Sequence, residues 1–286
     1  MSNPMRGKPA GKRGNPAVGV DAGASLCKLV LPGETSFAFA KFPSTDMHGV
    51  RACLSDWKPE RVIATGGGAA RLERELDGVR VHTVPEFAAW ARGAPLLAAR
   101  EGLELPPHYL LVSLGTGTSV LSLDGERATR VGGSALGGGT LLGLGRLLLG
   151  VETFEEICAL AARGDRRRVD LLVGDIYPGG EIPLPLDLNA ASFAKLESRE
   201  PADLAHALMG MLGENIALIC GTLARSHGAL AVVYCGSTLI QNPELREILR
   251  WVTQAYGAQP HFLDSGAYCG AFGAAALADE LPAHPA

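Results

Sequence analysis

No Cys-x-x-Cys pair, no His-Glu-x-x-His motif and no Cys/His ligand spacing occurs in the 286 residues. That argues against a structural zinc site and against the dense cysteine framework that staples small secreted domains. The six cysteines (Cys27, Cys53, Cys158, Cys220, Cys235, Cys269) are scattered through apolar surroundings and are expected to be buried reduced thiols. Equally absent are GxxxxGK[ST] and GxGxxG, so a P-loop kinase and a Rossmann dehydrogenase both lose their main support. No window of about 18 apolar residues runs free of charge, and the most hydrophobic stretch is broken by Arg146, which argues against a membrane span. A net charge of -4 gives no general attraction to nucleic acid or to an anionic membrane, so any anionic ligand must be held locally. The basic, Gly- and Pro-rich start, MSNPMRGKPAGKRGNPA, lacks the apolar h-region of a secretory signal. Residues 1–16 are expected to form a disordered tail, and the protein is expected in the cytoplasm.

What the chain does have is a 47% hydrophobic composition, enough for a large core in one or two domains, and an unusual placement of its 37 glycines. AVGVDAGASLCKLVLPG (Ala17 to Gly33) reads as strand, small-residue turn, strand, and TSFAFAKFP (Thr35 to Pro43) adds a third strand by alternation. A helix (DMHGVRACLSDW), a buried strand entering a glycine turn (RVIATGGG), a helix closed by Gly78 and a further strand (VRVHTVPE) complete an order βββαβαβ. From His108 the pattern restarts with YLLVSLGTGTSVLSLDGERATRVGG, whose Asp124-Gly125 pair signals a hairpin. The chain reads as duplicated. Later come a helix from Phe154 to Arg163, a proline-rich loop, a long helix over roughly Ala202 to Ser226, and a strand ALAVVYCGSTLI. A helix with Asn242 as N-cap, a strand near HFLD and a small-residue helix then follow. Alternating strands and helices make the class α/β.

The stretch RVGGSALGGGTLLGLGRLLLG (Arg130 to Gly150) places glycines before and inside a helical run, although each interior glycine costs about 1 kcal/mol relative to alanine. Glycine turns at helix N-termini expose backbone N–H groups and cradle phosphate. Three such places occur: Asp21 to Lys28, Gly115 to Ser119, and Gly137 to Thr140. Gly143 and Gly145 lie deeper in the helix, where close packing is the simpler account. Glu86, after a strand and Pro85, serves by position equally as a helix-capping carboxylate or as a base reaching from a strand end.

Two βββαβα halves, each opening with a hairpin, resemble the acetate and sugar kinase, Hsp70 and actin superfamily. That resemblance implies duplicated RNase H-like domains of actin/hexokinase type with the nucleotide cleft between them. The N-terminal domain would cover 17–109, and the C-terminal domain, with a helical dimerisation insert, 110–286. More specific are DAGASLCKLV (Asp21 to Val30), TGGG (Thr65 to Gly68), PEF (Pro85 to Phe87), VSLGTGTSVL (Val112 to Leu121), the central glycine run, DLLVGDIYPGG (Asp170 to Gly180), VVYCGSTLIQNP (Val232 to Pro243) and GAYCGAFGA (Gly266 to Ala274). On these, from about Val18 to about Leu277, the chain resembles a type II pantothenate kinase. The family's first phosphate motif commonly reads DxGGTxxK, and here Ala24 and Ser25 stand for its second glycine and its threonine.

The resemblance implies ATP and Mg2+ as cofactors and pantothenate as the phosphoryl acceptor. ATP would be bound by Asp21, Ala22, Gly23, Ala24, Ser25, Leu26, Cys27 and Lys28, by Ala135, Leu136, Gly137, Gly138 and Gly139, and by Gly236 and Ser237. Glu86 would be the catalytic base toward the substrate hydroxyl. Arg130, whose guanidinium fork suits a carboxylate, would bind pantothenate together with Thr116 and Ser119. Asp21 would orient Mg2+ through water. A homodimer through the long helix is expected, with neither nucleic acid nor membrane as partner. Two other readings stand beside this one: a sugar or N-acetylglucosamine kinase of the same superfamily, and a nucleotide-binding regulator that has lost catalysis.

Overall fold

Apolar strands buried on both faces become the inner strands of a sheet, and VGVDA and AVVYC, each buried along its whole length, do so here. The computed structural model describes residues 17–33, 36–76, 78–125, 127–180 and 182–281; the expected tail lies outside them. In chain order the first elements are β1 (Val18–Ala22), β2 (Leu26–Pro32), β3 (Phe37–Pro43), α1 (Met47–Trp57), β4 (Val62–Thr65), α2 (Ala69–Glu75), β5 (Val81–Thr83) and α3 (Glu86–Arg100). The second series starts with β6 (His108–Leu114), β7 (Thr118–Asp124), β8 (Arg127–Ser134), α4 (Gly138–Leu149) and α5 (Phe154–Ala161). Next come β9 (Leu171–Leu172), α6 (Val173–Ile176), β10 (Asn189–Ala191) and α7 (Pro201–His227), then β11 (Ala231–Cys235), α8 (Pro243–Ala255), β12 (Gln259–Phe262) and α9 (Cys269–Ala276).

Two five-stranded sheets result, ordered β3-β2-β1-β4-β5 and β12-β11-β6-β7-β8. Read from the third strand of each, they share one plan. An antiparallel hairpin (β1/β2, β6/β7) is followed by two parallel strands added on its other side. The chain divides into two compact units, one holding residues up to Leu105 with Gly125–Thr129 and the segment from Leu263, the other Pro106–Asp124 and Arg130–Phe262.

That division differs from the expected span of 110–286 at its far end. From Leu263 the chain groups with the first unit, because α9 packs on α3 and β1 with almost no side chain between the backbones. A Cβ at Gly273 would lie 1.7 Å from the Ala89 carbonyl oxygen, one at Gly93 2.1 Å from that of Cys269, and one at Gly19 1.8 Å from that of Ala271. Only glycine permits such approach. The run GAFGAAA is therefore an interior surface.

Helix ends follow the sequence. The Asp46 carboxylate accepts from Gly49 N–H at 2.9 Å ahead of α1. Thr153 and Glu156 form a reciprocal capping box at α5, and Asn242 accepts from Leu245 N–H at 3.3 Å at α8. Gly228, in the left-handed region, stops α7. Two short strands the sequence did not announce, β9 and β10, pair at the two ends of the segment that holds the proline-rich loop. In the second unit, Leu208, Met209, Leu212, Ile216 and Cys220 of α7 form one core with Leu110, Val112, Val232 and Leu249. α7 is long and apolar enough to cross a membrane by length and composition, yet 67% of its apolar window is buried inside the molecule.

Candidate active site

In the first unit, the strand ends of β1, β4 and β5 gather the charged groups. Register pairs Asp21 of β1 with Lys28 of β2 and, on the other side, with Thr65 of β4. The Lys28 ammonium lies 3.1 Å from Asp21 Oδ2, both side chains about nine-tenths buried. Such a pair is held by mutual attraction, and loss of either partner strands the other. Gly66 follows β4 at φ +87°; a Cβ there would meet the Ala22 carbonyl oxygen at 2.7 Å and Asp21 Oδ1 at 2.9 Å. The TGGG turn thus closes directly over Asp21, with Gly68 N–H donating to the Ala22 carbonyl at 2.8 Å.

Glu86 is the first residue of α3, entered from extended Pro85. Partial burial raises its pKa above the ordinary glutamate value. The Asp21 carboxylate adds to that rise and the Lys28 ammonium opposes it. A carboxylate held this way is a stronger proton acceptor than a solvated one.

The β1–β2 turn is open. Ala24 and Ser25 are exposed, and Ala24 is absent from the left-handed region of backbone space, so its side chain carries no strain. Gly23 N–H donates to Leu26 O at 3.0 Å, while Ser44 ties the turn down from below through Ala24 O and Ser25 O. Cys27 belongs to the core, where burial pushes its thiol up to about 12.

In the second unit the β6–β7 turn meets two other segments. Gly138 N–H donates to Gly115 O at 2.8 Å, Gly139 N–H to Thr116 O at 3.0 Å, and the Thr238 hydroxyl to Gly115 O at 2.9 Å. What comes close to the glycines that open α4 is therefore another turn of the chain itself. A Cβ at Gly137 would meet Thr116 O at 2.5 Å, and one at Gly138 the Thr238 hydroxyl at 2.7 Å. Gly145 makes room for Ile157, whereas nothing lies near Gly143. Gly236, at φ +112°, abuts the Leu114 carbonyl, and Ser237 begins the short 3-10 turn that follows. Leu136 is half-buried, with its carbonyl accepting from the Thr118 hydroxyl at 2.7 Å; Ala135 is exposed.

Arg130 is exposed on β8 and forms no ion pair among the described residues. Its guanidinium crosses Gly133, where a Cβ would lie 2.7 Å from Nη2, 2.6 Å from Thr118 O and 3.5 Å from the Ser119 Cα. Arg130 and Ser119 thus share one patch, with Thr116 exposed on the adjoining turn. Sequence reasoning passed over Thr238, Thr118 and Thr65, whose hydroxyls tie these turns to their strands, the last donating to Val84 O at 3.0 Å. Their only signal was a hydroxyl beside a glycine.

The Fumble family profile matches residues 99–277. A type II pantothenate kinase of Staphylococcus haemolyticus is 35% identical over 262 residues, covering 90% of this chain and 98% of its own. One from Staphylococcus aureus (strain USA300) is 32% identical, covering 90% and 97%. Among solved structures, an activator of 2-hydroxyisocaproyl-CoA dehydratase from Clostridium difficile with bound ADPNP superposes with a TM-score of 0.63 at 17% identity, covering 94% of this chain and 99% of that one. A ROK family glucokinase from Streptomyces griseus, in complex with glucose and AMPPNP, gives 0.59 at 15%, covering 93% and 99%. These last two establish the actin/hexokinase-like fold alone. The relatives in sequence go further: the chain belongs to the Fumble family and, within it, to the type II pantothenate kinases.

Proposed function

We propose a division of labour for the phosphorylation of pantothenate by ATP, the reaction that yields 4′-phosphopantothenate and opens coenzyme A synthesis. Glu86 is the base. It accepts the proton of the primary hydroxyl as that oxygen bonds to the γ-phosphorus, while the bond from γ-phosphorus to the bridging oxygen breaks and ADP departs with the electron pair. The observation that carries this is the place of Glu86, half-buried in the first turn of α3 near the buried Asp21–Lys28 pair, whose charges both act on its carboxylate. Lys28 and the open Gly23–Ser25 turn face the nucleotide phosphates. Arg130, Ser119 and Thr116 hold pantothenate, the guanidinium taking its carboxylate. In the second unit, Gly137 to Gly139 and Gly236 with Ser237 are the residues for the nucleotide, and because the Gly138 and Gly139 amides already serve Gly115 and Thr116, their part is shape more than donation.

Among the described residues no three metal-ligating side chains gather, so the chain builds no cage for Mg2+. A single buried carboxylate, Asp21, suits an ion that keeps its waters and rides on the nucleotide. When bound, Mg2+ neutralises charge on the phosphates; the protein's share is to hold Asp21 in place.

A cytoplasmic homodimer completes the reading. Leu218, 41% exposed, lies on the outer face of α7, and that face, not the buried one, is the surface for a second copy. A monomer by light scattering at micromolar concentration would remove it. Sugar kinase chemistry has only the fold in its favour. The deciding assay is ADP release from Mg-ATP with pantothenate, glucose or N-acetylglucosamine as acceptor, for wild type and Glu86→Gln. Turnover with pantothenate alone, falling about 100-fold or more in the variant, is expected. ATP binding without turnover of any acceptor would favour a regulator.

A further inference from the structure

One polar group beside Asp21 has no part in the chemistry assigned so far. Trp90 sits one helical turn beyond Glu86 on α3, so the two side chains share a face, and a helical side chain leans toward the N-terminal turn. The residue is 8% exposed, its ring lies 5.8 Å from that of Phe87, and its carbonyl accepts from the Cys269 thiol at 3.6 Å. Its indole nitrogen points at the Cα of Gly270. A Cβ on Gly270 would lie 2.8 Å from Trp90 Nε1 and 3.1 Å from both Asp21 Cγ and Oδ2. The indole N–H and the Asp21 carboxylate therefore crowd one point, which only a residue without a side chain leaves open. Among the described residues nothing accepts from that N–H. That nitrogen is not among the polar atoms sealed from solvent, so an unpaired donor standing next to the Asp21 carboxylate is placed to serve an oxygen from outside the chain.

We infer that the Trp90 indole N–H donates to an oxygen of the ligand held at Asp21, a phosphoryl oxygen or a water of the nucleotide's metal, and that Gly270 is the positioning residue that keeps Trp90 and Asp21 together. This rests on the reading of Asp21 and Glu86 as the phosphoryl-transfer site. Indole suits the task because it donates only and never competes as an acceptor for the metal. Gly270→Ala would push either the indole or the carboxylate off its place.

The test uses the full chain with 15N-labelled indoles. Three tryptophans give three Nε1–H resonances, and Trp90→Phe assigns the one in question. Adding Mg·AMPPNP is expected to shift that resonance and leave those of Trp57 and Trp251 in place; a Trp90 signal that does not move overturns the inference, and should Trp90→Phe fail to fold, Trp57→Phe and Trp251→Phe assign the signal by elimination. In kinetics, Trp90→Phe keeps a packed ring but loses the donor, and is expected to lower kcat about tenfold while the KM for pantothenate stays within twofold. Unchanged kcat overturns the inference. Gly270→Ala is expected to raise the Mg2+ concentration for half-maximal rate several-fold. Glu86→Gln, run in parallel, separates the two levels: full activity in that variant removes the site itself, whereas a dead Glu86→Gln beside an unimpaired Trp90→Phe removes only the donor.

Discussion

The two sheets can be laid over one another by register, and the same positions then carry different chemistry. Where β1 and β2 pair Asp21 with Lys28, β6 and β7 pair Ser113 with Ser119. Thr65, beside Asp21, answers to Cys235, beside Ser113. Each parallel strand is followed by a glycine of positive φ, Gly66 or Gly236, pressed against the carbonyl of the equivalent residue, Ala22 or Leu114. The scaffold was kept and the side chains diverged. At these strand ends one sheet carries fixed charge, and the other carries hydroxyls and a thiol. Their turns differ in what ties them down: Ser44 engages the carbonyls of Ala24 and Ser25, whereas α4 and Thr238 engage those of Gly115 and Thr116.

The sharpest break of this comparison is Lys28→Met. It leaves Asp21 buried and unpaired, so unfolding free energy should fall by about 3–5 kcal/mol, read from denaturant or thermal melting. Ser119→Ala, at the equivalent position, should cost less than about 1 kcal/mol. Should both variants melt alike, charge would not distinguish the units. Next in size is Gly236→Ala, where a positive φ and a carbonyl 2.2 Å away combine to cost about 3 kcal/mol or more. Gly66→Ala, with more room, should be milder in stability but worse in kcat, since its methyl group meets Asp21.

A pH profile sharpens the contrast further. Burial and the Asp21 charge raise the pKa of Glu86, and the base works only when deprotonated. The acid limb of kcat/KM should therefore lie above the ordinary glutamate range. Lys28 holds that pKa down, so any residual activity of Lys28→Met should show the limb moved to higher pH; movement to lower pH would contradict the assignment. The smallest effect is that of Ala24→Gly. Since Ala24 is unstrained, restoring the family's glycine should lower stability by about 0.4–1 kcal/mol through the unfolded chain and leave the KM for ATP within twofold.

Much of this was legible in the residues. Asn242 announced its helix, the apolar runs announced both hairpins, and the motif order announced the family. Side-chain periodicity reports that a helix has an apolar face but not what lies against it. The long helix α7 thus read as a dimer interface while most of its apolar residues fill the core of its own unit. Contacts between backbones leave still less trace. GAFGAAA gave no sign that α9 joins the first unit, because the partner atoms at Gly273 and Gly93 are carbonyls, which every residue has. For the same reason the glycines that open α4 gave no sign that the Gly115–Gly117 turn lies against them.

The crossing of α3 and α9 has a mechanical side. Side chains between two helices act as soft bearings, since rotamers can shift to take up a displacement. Where Gly93 and Gly273 bring peptide against peptide, no such bearing exists, and the two helices are coupled like welded struts. A displacement of α9 would then be passed on to α3, the helix whose first residue is Glu86.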